Sequence, residues 1–388
     1  MNSSQFIMDT YRRVPLRISR AFGCYICDIE NRNFLDTYGG LGVHVLGHNH
    51  PELQQLLREK SGSYLHLSNY FESSEAAALA EKLCCETGKN AVYFANSGAE
   101  ACETAIKIIR KHWGGKRAAM VTIDGNFHGR TMGALSLCTR ESIKAPFQPL
   151  FPSVVIPIGK KQRLDSFFSK DTAALFIEPL QGEGGVREIP QWMLEELIRL
   201  QKKYGFLLVQ DEIQSGMFRT GKFLAGNSVS SHADIILLGK GLGGGLPLSA
   251  CIVNEKPTEV FTPGDHGSTF GGNPLACGLG FKTLEIIRRD RLDDLLVKKG
   301  RRFRKKLKDV SARRPDLVKE VRGKGLMLGV DLKDSAAAAK LKDHFFDNRV
   351  LVNVTAGTVW RLLPSFLIQD SQLDMICCMF AEFLDQYR

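Results

Sequence analysis

Lys240 is the residue of this chain best suited to covalent chemistry. It follows the apolar run Ile236-Leu237-Leu238 across one glycine, and further glycines stand at 241, 243, 244 and 245. An amine at the end of a hydrophobic strand is partly desolvated, which favours its neutral form and lets it form a Schiff base with a carbonyl. A second chemical position lies in Leu208-Val209-Gln210-Asp211-Glu212-Ile213-Gln214. Two acids end an apolar run there, where an unpaired buried carboxylate would be costly. A third is Asn96-Ser97-Gly98-Ala99, ahead of a helix that carries Glu100 and Glu103. Backbone N–H groups and a hydroxyl at a helix N-terminus can grip a phosphate. Each segment also has an ordinary reading: a Gly-rich turn with an exposed lysine, a strand end with solvated or ion-paired acids, and a helix cap. Together they offer an imine-forming amine, a carboxylate for a pyridinium nitrogen and an anion cup, the set that pyridoxal phosphate requires.

The elements that must position these groups alternate between buried-type strands and helices. Ala91 to Ala95 reads as a strand, followed by a helix from about Ala99 to Trp113. Further strands are expected at Ala118 to Ile123, Val154 to Ile158, Ala173 to Ile177, Leu207 to Val209, Ile235 to Leu238 and Ser249 to Val253. Gln191 to Tyr204 is amphipathic, with Met193, Leu194, Leu197, Ile198 and Leu200 apolar. This order implies an α/β fold with a mostly parallel sheet covered on both faces, whose ligands sit beyond the carboxyl ends of the strands. After Pro274 a long helical region, about Leu275 to Val310, leads to strands near Gly329 to Leu332 and Val350 to Asn353 and to a final amphipathic helix from about Ser371 to Tyr387. The expected division is an N-terminal segment, residues 1–45, packing with a smaller α+β C-terminal domain at 279–388, and a large domain at 46–278.

The 388 residues suffice for a sizeable core in two or three subdomains. The formal charge of +10 is compatible with anionic ligands. Much of it lies in one run from Lys298 to Lys308, which lacks an aromatic stacking pattern or nucleic-acid motif and reads as a solvated helix face. No nucleic-acid or membrane partner is expected, since no apolar run reaches membrane-spanning length. Ten cysteines, with Cys84-Cys85 and Cys377-Cys378 adjacent, suit small buried hydrophobes in a reducing compartment. Cys24-x-x-Cys27 has metal or redox spacing without a second ligand pair, and its alternation suits a strand. The N-terminus is acid-poor but has no secretory apolar core, so a cytoplasmic protein is expected.

The motifs in combination resemble those of the class-III aminotransferases of pyridoxal-phosphate fold type I, in the acetylornithine and ornithine branch. They are Ser97-Gly98-Ala99-Glu100-Ala101, Phe127-His128-Gly129-Arg130-Thr131, Glu178-Pro179-Leu180-Gln181-Gly182-Glu183-Gly184-Gly185, Asp211-Glu212-Ile213-Gln214, Arg219-Thr220-Gly221, Lys240-Gly241-Leu242-Gly243-Gly244-Gly245 and His266-Gly267-Ser268-Thr269-Phe270-Gly271-Gly272-Asn273-Pro274. The resemblance spans about Asp9 to the C-terminal helix. It implies a seven-stranded, mostly parallel sheet and the following roles. Lys240 carries the cofactor and then moves the substrate proton. Asp211 keeps the ring nitrogen protonated. Phe127 and Ile213 cover the two ring faces, and Gln214 lies near the ring hydroxyl. Ser97, Gly98 and Ala99 hold the phosphate, and His128 belongs to the cofactor site. Ser268 and Thr269 reach the phosphate of a neighbouring subunit, which implies a homodimer with shared sites. Arg130 meets the distal carboxylate of the amino donor, Arg361 the α-carboxylate of 2-oxoglutarate, and Glu183 masks Arg361 while the donor reacts.

The implied reaction moves the distal amine of N-acetylornithine, or a similar N-acylated diamino acid, to 2-oxoglutarate, in the biosynthesis of arginine or lysine. Ornithine, succinylornithine and 4-aminobutyrate are alternative donors. An aminomutase or decarboxylase on the same fold would not need an external 2-oxo acid. A non-catalytic paralogue would not need both Lys240 and Asp211. Five positions depart from the family pattern: His44, Cys102, Phe218, Ser365 and Leu41. Leu41 stands where ornithine enzymes carry a tyrosine and so favours an acylated donor, and Phe218 is expected to narrow a wall of the donor pocket.

Overall fold

The computed structural model describes residues 6–160, 163–254, 259 and 261–387. Its centre is a seven-stranded sheet whose strands, in chain order, are β1 (Ala91–Ala95), β2 (Ala119–Ile123), β3 (Ser153–Ile156), β4 (Thr172–Ile177), β5 (Leu207–Asp211), β6 (Ile235–Leu238) and β7 (Ser249–Val253). In space they run β1-β7-β6-β5-β4-β2-β3. β7 is antiparallel to both its neighbours, and the other pairings are parallel. Every residue of β4, β5, β6 and β7 is buried, which explains why these segments read as unbroken apolar runs instead of alternating ones. Each fully buried Leu or Ile contributes roughly 1.5–3 kcal/mol relative to exposure.

Helix α1 (Gly98–Trp113) lays Ala101, Cys102, Ala105, Ile106, Ile108 and Ile109 on this sheet. It begins where Ser97 leaves the extended conformation and ends at Gly114, whose left-handed φ of 53° releases the chain. The parallel order turns the carboxyl ends of β1, β2, β4, β5 and β6 toward one edge, where the segments with chemical potential emerge.

The chain then forms two helices, Pro274–Arg289 and Leu292–Ser311, where the sequence reads as one helical region. The break is at Arg291, whose φ is 50°. Arg288 and Arg289 end the first helix and Asp293 and Asp294 begin the second, so the charges at the break suit both helix dipoles. A four-stranded antiparallel sheet follows, ordered Val318–Lys324, Met327–Leu332, Val359–Leu362 and Asn353–Thr355. The N-terminal strands Ile18–Phe22, Tyr25–Asp28 and Asn33–Asp36 form a second sheet, completed by Val350–Leu351 from the C-terminal part. Cys24 and Cys27 are buried at this hairpin. Arg219 is buried where the two parts of the chain meet, and its Nη1 donates to the carbonyls of Pro364 at 2.5 Å and Leu326 at 3.3 Å. No helix among the described residues is long and apolar enough to cross a membrane.

Candidate active site

A cavity of about 270 Å³ opens at the carboxyl edge of the central sheet. Lys240, Asp211, Gly98, Ala99, Phe127, His128, Arg130, Ile213, Gln214 and Glu183 all line it, together with Gly129 and Glu178. Groups from five separate stretches of sequence therefore meet in a space the size of a small cofactor.

Lys240 begins a 3₁₀ turn, Lys240–Gly243, just past β6. Its φ of 49° lies in the left-handed region, a strain of order 1 kcal/mol for a non-glycine residue that marks a position worth holding. Burial, followed by the positive charge of Arg361, lowers its amine to about 8, although Glu183, Glu178 and Asp211 oppose the shift.

Asp211 ends β5. His128 Nδ1 donates to its Oδ2 at 2.6 Å, and the Ile213 amide donates to its Oδ1 at 3.0 Å. Asn126 Nδ2 donates to His128 Nε2 at 2.8 Å, which leaves the Nδ1 hydrogen for the carboxylate. Burial works against the imidazolium, but the hydrogen bond and charge of Asp211 outweigh it and raise His128 above its usual range. The neighbouring Glu212 faces the other way, into the interior. It accepts from Gln210 Nε2 at 2.7 Å, the Gly226 amide at 2.8 Å and Ser215 Oγ at 2.6 Å. Of the two acids at this strand end, one serves the cavity and the other the core.

Gly98 has no room for a side chain, because a Cβ there would lie 2.8 Å from Ile213 Cδ1. This close approach lets Ile213 cover the cavity from the side of α1. The amides of Gly98 and Ala99 are among the first-turn donors that a helix cannot satisfy internally, so they are free in principle for an anion. Ser97 caps α1, its Oγ accepting from the Glu100 amide at 3.3 Å, and lies outside the cavity lining. Ser268 Oγ accepts from Asn96 Nδ2 at 3.1 Å, and Thr269 is exposed; neither lines this chain's own cavity.

Arg361, on Val359–Leu362, is 1 % exposed and lies behind the cavity lining, bonded to two of its residues. Its Nη1 donates to Glu183 Oε1 at 2.5 Å and to Gln214 Oε1 at 2.9 Å, and its Nη2 to Asn353 Oδ1 at 2.8 Å. Burial acts to raise Glu183, but the arginine's charge and hydrogen bond win and hold the carboxyl below its ordinary range. Arg130 sits at the exposed mouth with its guanidinium 5.7 Å from the centre of the Phe127 ring.

The expectation for Phe218 is corrected. Its buried ring packs edge-on against Phe223 at 5.4 Å and lies under the Arg288 guanidinium at 4.5 Å, beside a different, polar cavity. His44 packs tilted against His48 with ring centres 4.2 Å apart, and His48 is 2.9 Å from the Asp36 carboxylate.

Glu178, just past β4, is the functional residue whose role the sequence reading did not draw. The Phe127 amide donates to its Oε1 at 2.6 Å and the Gly182 amide to its Oε2 at 3.2 Å, so one carboxyl ties down both cavity loops. Its sequence signals were its place after the apolar run Ala173 to Ile177 and at the head of the motif Glu178 to Gly185. Burial, then the charge of Asp211, raises Glu178 from its ordinary 4.5 to about 7. A raised acid takes up a proton on folding, so its stabilisation is present at low pH and is lost as pH rises from 4.5 to about 7. Glu178→Gln removes this proton uptake. Melting of the apoprotein is expected to show wild type losing ground to Glu178→Gln across that window, and a pH-independent difference would refute the assignment.

These residues fit pyridoxal phosphate, with an amine to hold it, a buried carboxylate for a ring nitrogen and unsatisfied amides for a phosphate. A family model described as aminotransferase class-III matches residues 6–384. The chain is 39% identical to an acetylornithine aminotransferase of Methanopyrus kandleri, covering 98% of this chain and 97% of that one. It is 38% identical to an acetylornithine aminotransferase of Aquifex aeolicus, covering 98% and 100%. The crystal structure of the ornithine aminotransferase of Toxoplasma gondii superposes with a TM-score of 0.93 at 30% identity, covering 98% and 93%. The chain belongs to the class-III aminotransferases and is a pyridoxal-phosphate-dependent enzyme of fold type I.

Proposed function

We propose that this enzyme transfers the distal amine of N-acetylornithine, or of a similar N-acylated diamino acid, to 2-oxoglutarate, giving the semialdehyde and glutamate. The observation that carries the reading is a pair of unequal arginines around one lysine. Arg361 is buried behind the wall, screened from the cavity by the carboxylate of Glu183, and Arg130 stands at the exposed mouth. A donor reacting at its distal amine carries its α-carboxylate outward, toward Arg130, and leaves Glu183 in place over Arg361. The acceptor reacts at its α-carbon, so its α-carboxylate needs Arg361 close to the reacting atoms, with Glu183 displaced. The names of the most similar relatives support the acylated donor.

The bound cofactor supplies an electron sink for the substrate carbon. Lys240 Nζ would hold the cofactor and, when free, would accept and return the proton of the substrate carbon. Asp211, oriented by His128, stabilises a positive ring nitrogen. Phe127 and Ile213 would cover the two faces, Gln214 would lie at the ring hydroxyl, and Ser97, Gly98 and Ala99 would take the phosphate. Ser268 and Thr269 complete the site of a second subunit in a homodimer. The domain division at 45 and 278 and a cytoplasmic setting accompany this reading.

The test is the visible absorbance of the purified enzyme before and after adding N-acetylornithine alone. The cofactor band should disappear, and 2-oxoglutarate should restore it. A band that ignores N-acetylornithine but yields to ornithine or 4-aminobutyrate would overturn the donor and keep the transaminase.

A further inference from the structure

The helix Leu292–Ser311 carries its positive charge on two different faces. On one, Arg302 and Lys306 bind Asp374 at 2.5 and 2.7 Å, and Lys299 donates to the carbonyls of Phe366 and Ile368. These cations are consumed by packing against the C-terminal helix. On the other, Arg301, Arg304, Lys305 and Lys308 fall at i, i+3, i+4 and i+7, and none makes an ion pair among the described residues. Like charges at these spacings repel, and Asp309, four residues after Lys305, is the one acid beside them.

These four side chains line a cavity of about 440 Å³, separate from the active site, with Lys324 and Asp309 at its edge. Lys324 is paired with Glu188 at 2.7 Å, so the four helix cations outnumber the one free acid. The hollow exists because the helix touches the turn after Val318–Lys324. A Cβ on Gly300 would collide with the Gly325 carbonyl, and Gly325 itself has a left-handed φ of 53°. Arg304 Nε is buried in this contact without a hydrogen-bond partner among the described residues, as is Nη2 of Arg322 in the adjoining hollow that Arg304 also lines. Buried guanidinium N–H groups left unpaired are costly, and a small turn of the Arg304 side chain toward a bound anion would relieve that cost; Arg322 is already paired with Glu320 and Asp331.

We infer that this cavity is a binding site for a small, multiply phosphorylated anion. Several negative oxygens on one molecule match four cations lining one hollow, and the planar forks of Arg301 and Arg304 can each take two oxygens of a phosphate. The lack of a stacking aromatic among its lining favours a small molecule over a nucleic-acid strand.

The experiment is calorimetric titration of the holoenzyme with inorganic tripolyphosphate at about 0.15 M salt, where unspecific attraction is screened beyond roughly 8 Å. Using the holoenzyme keeps the active-site phosphate cup filled. One saturable site per chain is expected. The double variants Arg301→Gln/Arg304→Gln and Lys305→Gln/Lys308→Gln should each weaken it by about tenfold or more. Lys202→Gln, which removes a positive charge from the helix Gln191–Tyr204 outside the cavity, should leave it unchanged. Absence of saturable binding would overturn the inference. So would equal weakening by Lys202→Gln, or a duplex oligonucleotide that binds through these residues and is not displaced by tripolyphosphate.

Discussion

Replacement of Lys240 by alanine is expected to lower turnover by about 10⁴-fold or more while the protein still folds. A positioned acid–base group alone contributes about 10²–10⁴-fold, and on the proposed reading this lysine is also the amine that holds the cofactor. Alanine meets the same left-handed backbone that lysine does at φ 49°, so the substitution adds no strain. It also removes an amine whose burial disfavours its charge. Single-turnover rates with each half-substrate, beside the melting temperature of the apoprotein, separate the two effects. Unchanged turnover would refute the assignment of Lys240. The wild-type apoprotein provides a companion test. Cofactor capture needs the neutral amine, so its rate should rise as pH passes through about 8, not near the ordinary lysine value.

The second large effect concerns Arg361. Arg361→Ala should slow the half-reaction with 2-oxoglutarate by about 100-fold or more, because charge-assisted hydrogen bonds worth roughly 1.5–3 kcal/mol each are lost. The donor half-reaction should change far less, since Glu183 pairs with this arginine at 2.5 Å and on the proposed reading keeps it masked in that step. The substitution also leaves Glu183 in the wall without its cation, so its carboxyl should titrate higher than in wild type. Removing the positive charge should raise Lys240 too, moving the capture profile to higher pH. Equal loss in both half-reactions would mean that Arg361 supports the site as a whole and does not select the acceptor.

Both predictions rest on contacts between residues far apart in the chain, and that separation divides what the sequence shows from what it hides. The strands carrying Asp211 and Lys240 were legible because burial on both faces demands unbroken apolar runs, and the polar residue ending each run stands out against them. The helix after Ser97 was legible from its cap and its period. Alternation of strand and helix then fixed the edge on which the chemistry had to lie. The division of work between Asp211 and Glu212 was not legible, since it depends on which way each side chain leaves the strand end and on a histidine 83 residues away. Nor was the double tether made by Glu178, or the turning of Phe218 toward Arg288 and away from the active site. Local sequence sets backbone propensity and the side of each element that must be dry. The pairing, protonation and direction of a polar side chain are set by the low-dielectric surroundings that distant segments build around it, and only the folded chain assembles those.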